Sequence, residues 1–74
     1  MKITIGEAFR IAMKRKNLKQ TDLAKKLNLD RRSVNQALKN YDENKGGIKT
    51  LFEYAEALGI EINFEFKDKE FEEN

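Results

Sequence analysis

Side chains of the kinds that read nucleic-acid bases are grouped between residues 30 and 39. On a helix of about 100° per residue, Val34, Ala37 and Leu38 fall in one arc. The other arc holds the polar residues Arg31, Arg32, Asn35, Gln36 and Lys39. Arginine can donate two hydrogen bonds to guanine O6 and N7, and glutamine or asparagine can pair with adenine. A helix here would bury one face and offer hydrogen bonds from the other.

The chain has few residues suited to catalysis or metal binding. It contains no histidine and no cysteine, so imidazole and thiolate ligands and disulfides are absent. It has no glycine-rich phosphate loop of the Walker or dinucleotide type and no serine in a nucleophile elbow. Glu7 and Asp30 are better explained as helix caps. We therefore predict no enzyme activity, no cofactor and no metal site.

Length and charge distribution favour a small domain with one basic side. A chain of 74 residues without proline builds one domain with a small core, for which a second subunit would add stability. Residues 1–49 carry 13 Lys plus Arg against 5 Asp plus Glu, a balance of +8, whereas residues 50–74 carry 2 against 8, a balance of −6. The basic part fits a polyanion-binding surface, although solvated helix faces would give the same count. The charged first ten residues predict a cytoplasmic protein.

Two helices precede the polar segment. Helix 1 is predicted from about residue 5 to 16, and Thr4 followed by Glu7 matches a capping box, while residues 2–5 also alternate like a short strand. Helix 2 is predicted over about residues 20–27. Asn28 can adopt the left-handed conformation of a sharp turn, Leu29 can fill the corner, and Asp30 can cap helix 3. Two helices joined by about three residues form a helix-turn-helix.

These residues carry a family resemblance. Gln20, Ala24, Asn28, Val34 and Leu38 have the spacing found in the Cro and phage-repressor-like (XRE) family of bacterial and phage DNA-binding proteins. The segment 18–38 resembles the helix-turn-helix of that family and the segment 48–60 its next helix. Asn28 replaces the usual glycine of the turn.

Two further positions depart from the family pattern. Many members have an arginine late in helix 1 and a glutamate late in helix 3, where this chain has Met13 and Lys39. An apolar contact, or one made by the lysine stem, is therefore expected in place of an ion pair.

The resemblance implies that Gln20 holds a phosphate and that the early turns of helix 3 read base edges. Together with the residue chemistry, it predicts two sets of contacts with double-stranded DNA. The predicted base-contacting residues are Arg31, Arg32, Ser33, Asn35 and Gln36. The predicted phosphate-contacting residues are Lys19, Gln20, Thr21, Lys39, Asn40 and Lys45.

The second half of the chain is predicted to contain a loop, a helix and a strand. The run from 40 to 47 is polar and ends in two glycines, which indicates a loop. Helix 4 is predicted over about residues 48–58, with Ile48, Leu51, Phe52, Ala55 and Leu58 facing inward and Gly59 as its stop.

From Ile60 the apolar period becomes two, which predicts a strand. A strand needs a partner, which could be the N-terminal segment 3–5, the same strand of a second subunit, or both. Proteins of the Cro type often dimerise near their C-termini, so a dimer interface is predicted at Ile60, Ile62, Phe64 and Phe66.

The sequence thus predicts a mainly α fold, with four helices and a C-terminal strand in a domain over residues 1–67 and a disordered acidic tail over 68–74. The predicted function is that of a sequence-specific DNA-binding regulator, a repressor that binds a palindromic operator as a homodimer. The alternative is an antitoxin-type module that binds a partner protein through its C-terminal strand, with or without DNA binding.

Overall fold

The computed structural model of the chain describes residues 2–63, and four helices account for most of that part. They are α1 (Ile5–Arg15), α2 (Gln20–Leu27), α3 (Arg31–Asp42) and α4 (Ile48–Leu58). α1 and α2 pack on both α3 and α4 around one core. This arrangement confirms the predicted mainly helical class and the four predicted helices.

The capping box predicted at the start of α1 is present, and a left-handed residue follows the other end of the helix. The Glu7 amide donates to the Thr4 hydroxyl oxygen over 3.1 Å, and the Thr4 amide donates to the Glu7 carboxylate over 3.3 Å. This capping box starts the helix at Ile5. Residues 2–4, which could also have formed a short strand ahead of the cap, carry no regular structure. At the other end Asn17 has φ 55°, and the Leu18 amide donates to the Met13 carbonyl over 2.8 Å.

The turn between α2 and α3 also follows local rules. Asn28 has φ 57°, which confirms its left-handed conformation, and the Leu29 amide donates to the Ala24 carbonyl over 2.8 Å. The carboxylate of Asp30 accepts from the Ser33 amide over 2.7 Å and caps α3. Leu29 was expected to fill the corner of the turn, but 45% of its surface is exposed.

α3 is longer than the sequence patterns indicate. The predicted loop over 40–47 is wrong in its first part, since the helix continues to Asp42. The reason is Tyr41, which extends the buried stripe of Val34 and Leu38 by one turn and is 2% exposed. Only residues 43–47 connect α3 to α4.

Three aromatic rings join α1, α3 and α4. The ring centroids of Phe9 and Tyr41 lie 5.3 Å apart, those of Tyr41 and Tyr54 5.9 Å, and those of Phe9 and Tyr54 6.2 Å. Burial raises the pKa of Tyr41 and of Tyr54, with a smaller contribution from the Glu53 charge in both. The Tyr41 hydroxyl is buried without a hydrogen-bond partner among the described residues.

The inward face of α4 differs from the predicted one. Leu51, Ala55 and Leu58 are buried as expected, whereas Ile48 is 66% and Phe52 44% exposed. Tyr54, which is not part of the predicted inward face, is 2% exposed. The buried stripe of α4 is therefore Leu51, Tyr54, Ala55 and Leu58, which lies further around the helix toward Tyr54 and away from Ile48 and Phe52. Gly59 has φ 67° and ends the helix as predicted.

A close approach joins the N-terminal end of α1 to the C-terminal end of α3. Gly6 is buried against the backbone of Asp42. Arg10 reaches the same aspartate with two hydrogen bonds, of 3.3 Å from Nε and 2.9 Å from a terminal nitrogen. Asn44, at φ 58°, accepts from the Ile5 amide over 2.9 Å. These contacts tie together residues more than thirty positions apart.

The family ion pair was expected to be replaced at Met13 and Lys39. Met13 is buried in the core, as the expected apolar contact requires, and Lys39 is exposed. An ion pair between the two helices is nevertheless present at Arg10 and Asp42, where the nearest charged atoms lie 2.9 Å apart.

Residues 2–63 contain no strand, so the predicted C-terminal strand is not seen in its first residues, 60–63. Ile60 and Ile62 are partly buried and pack against the core instead. Phe64 and Phe66, the rest of the predicted strand, and the predicted acidic tail over 68–74 lie outside the described residues.

We expect Gly6→Ala to lower the stability of the fold. A Cβ atom at this position would lie 2.6 Å from the Asp42 backbone nitrogen and 2.8 Å from its Cα, so backbone would have to move. Overpacking of this kind costs on the order of 1–3 kcal/mol. Urea unfolding followed by circular dichroism measures the loss.

Gly47→Ala is the matched control for this substitution. Gly47 has φ −80°, and a Cβ atom there would meet nothing within 4 Å. Equal urea midpoints for the two variants would show that the close approach at Gly6 does not determine the stability of the fold.

Candidate nucleic-acid interface

The relative orientation of α2 and α3 is set by tightly buried apolar side chains. Leu23 of α2 and Val34 and Leu38 of α3 are each 0% exposed, and Ala24 is 4% exposed. A small residue at position 24 allows the two helices to approach closely, and the Ala24 carbonyl also accepts the hydrogen bond of the turn. The solvent-facing residues of α3 are therefore held in a fixed relation to the start of α2.

An open groove of about 900 Å³ lies between the start of α2 and the outer face of α3. It is lined by Lys19, Gln20, Thr21, Arg31, Arg32 and Asn35. The structure thus brings three of the predicted base-contacting residues together with three of the predicted phosphate-contacting residues. The lining residues come from two chain segments, and only the packing of α2 on α3 makes them neighbours.

Two predicted base-contacting residues, Ser33 and Gln36, do not line this groove. Ser33 is at the α3 cap, where its amide donates to Asp30. Gln36 is exposed one turn further along α3, and its side-chain nitrogen donates to the Asn40 side-chain oxygen over 3.2 Å. The outer face of α3 therefore continues the polar surface beyond the groove.

The remaining predicted phosphate-contacting residues also lie outside the groove. Lys39 is exposed on α3, and Asn40 is half-buried. Lys45 belongs to the connection before α4, where its ammonium is 3.7 Å from the Glu43 carboxylate. Both of these charged side chains are at least 66% exposed, so water screens the attraction between them strongly.

Both helices that border the groove begin at it, and each start is capped by a carboxylate. Asp22 accepts from the Lys19 amide over 2.8 Å, and Asp30 accepts from the Ser33 amide. The Ser33 backbone hydrogen bond lowers the pKa of Asp30, assisted by the Ser33 side chain and the Arg32 charge. The unpaired amides at the starts of the helices add positive potential to that of Lys19, Arg31 and Arg32.

No group of three or more His, Cys, Asp or Glu residues is placed to hold a metal ion within residues 2–63. Across the same part of the chain, no helix is long and apolar enough to cross a membrane.

The family follows from comparison with known proteins. The Cro/C1-type helix-turn-helix family model matches residues 9–64. The chain belongs to this XRE family of helix-turn-helix proteins. The match confirms the resemblance seen in the sequence, and the family is a DNA-binding one. No curated protein and no solved structure matches the chain significantly.

Membership in the XRE family places the described geometry in context. In the helix-turn-helix arrangement the second helix enters the major groove of DNA, and here that helix is α3. The groove between α2 and α3 lies within the matched segment. The pairing of Gln36 with Asn40 was not expected from the sequence, although their spacing of four residues on a helix was a visible signal for it.

We expect the α3 cap to make stability sensitive to acid. The pKa of Asp30 is lower in the folded chain, so its carboxylate stabilises the fold above its unfolded pKa of about 3.9. That contribution is lost as the pH falls through the folded pKa. Asp30→Ala should therefore be less stable than wild type at neutral pH, and the difference should vanish in acid.

Asp30→Asn provides the control, because asparagine also caps helices but has no titrating carboxyl group. Urea midpoints measured from neutral pH to below pH 3 compare the three proteins. A constant difference between wild type and Asp30→Asn across that range would contradict the proposed role of the charge.

Proposed function

We propose that the protein is a sequence-specific regulator of transcription that binds double-stranded DNA with α3 in the major groove. The observation that carries this proposal is the groove in which Arg31, Arg32 and Asn35 of α3 stand beside Lys19–Thr21 at the start of α2. Base-reading and phosphate-holding residue types are thus combined on one surface. Repression is the proposed mode of action, through occupancy of the operator.

The division of labour proposed for this surface follows from chemistry and position. Arg31 and Arg32 present planar donor forks that match guanine, and Asn35 and Gln36 present amides that match adenine. Ser33 can reach a base or a phosphate from the first turn. Contacts to phosphate oxygens are assigned to Lys19, Gln20, Thr21, Lys39 and Lys45. Such contacts fix the orientation on the duplex without reading sequence.

The proposal predicts different effects for two kinds of substitution. Arg31→Ala should weaken binding to the preferred duplex by about 1–3 kcal/mol and relax selectivity at one base pair. Lys19→Ala should weaken binding to all duplexes alike. It should also reduce the slope of the logarithm of the binding constant against the logarithm of salt concentration by about one for each bound subunit. Fluorescence anisotropy over a series of salt concentrations, with a duplex selected from a random pool, measures both.

The matched control is Lys26→Ala, which also removes one positive charge. Lys26 lines a separate groove with Leu27, Glu53, Glu56 and Ala57, on the side where α2 faces α4. Lys26→Ala should change the affinity for DNA little. If random duplexes bind as tightly as the selected one, or if Lys26→Ala and Arg31→Ala have equal effects, the proposed interface is wrong.

We further propose that the regulator binds as a homodimer to a palindromic operator. A helix-turn-helix dimer places its two recognition helices about 34 Å apart, one turn of the duplex, and so reads two half-sites. The interface proposed from the sequence comprises Ile60, Ile62, Phe64 and Phe66. Ile60 and Ile62 are only partly buried in the chain itself, so part of their apolar surface is free to contact a partner.

The homodimer predicts a stoichiometry that can be measured. Light scattering should give twice the chain mass, and the selected duplexes should contain inverted half-sites whose centres are one helical turn apart. A chain that is monomeric at all concentrations and binds a single half-site would contradict it.

The alternative proposal is an antitoxin-type module whose C-terminal segment captures a partner protein. It draws on Ile60 and Ile62, the same partly buried residues that the homodimer would use. Co-purification of a partner protein in equal amount with the chain would favour the alternative over the homodimer.

A further inference from the structure

The side-chain pair of Gln36 and Asn40 stands out on the exposed face of α3. The Gln36 nitrogen Nε2 donates to the Asn40 oxygen Oδ1 over 3.2 Å, across one turn of helix. Among residues 2–63 it is the one recorded side-chain hydrogen bond that lies wholly within α3. Gln36 is exposed and Asn40 is half-buried, so the hydrogen bond links a solvent-exposed side chain to a more enclosed one.

Asn40 is held in place by the chain that follows it. Its backbone carbonyl accepts from the Lys45 amide over 2.8 Å and from the Glu43 amide over 3.0 Å. The next residue, Tyr41, is buried in the aromatic cluster. The backbone at Asn40 is thereby fixed both by the core and by the connection to α4. The Asn40 side chain is therefore attached to a fixed backbone and can hold Gln36, one turn away, in place.

The hydrogen bond determines which donor and acceptor of the Gln36 amide remain available to DNA. A glutamine amide has two N–H donors and one carbonyl oxygen. With one N–H occupied by Asn40, one donor and the acceptor remain. Adenine presents an acceptor, N7, beside a donor, N6, in the major groove, which is the complementary pair. Without Asn40 the Gln36 side chain would rotate freely and would have to be ordered on binding.

We infer that Asn40 is a positioning residue that orients Gln36 to read adenine, and not the phosphate contact expected from the sequence. The inference rests on the proposed function, because it concerns the specificity of the same DNA-binding surface. Asn40 itself touches no base. It acts on one base pair through Gln36, and the remaining contacts of α3 do not depend on it.

Two roles for Asn40 predict different results in a selection from a random duplex pool. If Asn40 is a positioning residue, Asn40→Ala should lower the preference for adenine at one position by about two- to tenfold. That is the factor for ordering one long side chain. Preferences at the other positions should be unchanged. As a phosphate contact, the same replacement would weaken all duplexes equally and leave every preference intact.

Two further variants sharpen the comparison. Asn40→Asp keeps an Oδ acceptor for Gln36, so it should retain the adenine preference even though its negative charge lowers affinity for all DNA. Lys39→Ala removes a neighbouring positive charge and should weaken all duplexes without altering any preference. Alanine is a strong helix former, so Asn40→Ala should leave α3 folded, and circular dichroism checks this.

A measurement without DNA tests the contact itself. In nuclear magnetic resonance of the free protein, one of the two Gln36 side-chain amide protons should exchange more slowly than the other. The difference should disappear in Asn40→Ala and remain in Asn40→Asp. Its absence in wild type would overturn the inference, as would an unchanged adenine preference in Asn40→Ala. If wild type selects no duplex at all, the proposed function fails, and the inference fails with it.

Discussion

The structure depends on the close approach of α1 to the C-terminal end of α3. At Gly6 the two backbones come so near that no side chain fits between them. The ion pair of Arg10 and Asp42 and the hydrogen bond from the Ile5 amide to Asn44 close around this point. The ion pair is over one-third exposed and contributes little by itself. It joins α1 to the last residue of α3 beside the close approach at Gly6.

The interface on α3 follows from this support and from the turn before the helix. At one end, left-handed Asn28 and the Asp30 cap determine where α3 starts. Along its length Val34, Leu38 and Tyr41 bury one stripe of the helix. The opposite stripe is then exposed as one continuous polar surface, and α2 lies beside its first turns. A rigid helix of this kind needs little ordering on binding, which favours specific recognition.

Several features were visible in the sequence because each depends on neighbours within one turn. Thr4 with Glu7, Asn28 and Gly59 all mark helix ends where the structure has them. The spacing around Gln20 and Leu38 was enough to recognise the family. The errors fell elsewhere, where apolar residues had a choice of partner. Tyr41 was assigned to a loop because polar residues surround it, yet it completes the stripe of α3.

The two apolar arcs of α4 illustrate the same limit. Ile48 and Phe52 are as hydrophobic as Leu51 and Leu58, and the helical period alone cannot say which arc faces the core. The core of α1 and α3 accepts the arc that contains Tyr54, because that ring packs on Phe9 and Tyr41. Likewise, the family-type ion pair seemed lost at Met13 and Lys39, while a pair between the same two helices exists at Arg10 and Asp42.

By itself the sequence determined the helix starts and stops, the chemistry of the polar face of α3 and the family, since these depend on residue types at short separations. The tertiary structure alone decided which apolar faces are buried, where α3 ends and which polar residues share the groove. Those outcomes rest on contacts between distant residues. Arg10 and Asp42 are 32 positions apart and Ile5 and Asn44 are 39 apart, and no local pattern encodes such pairings.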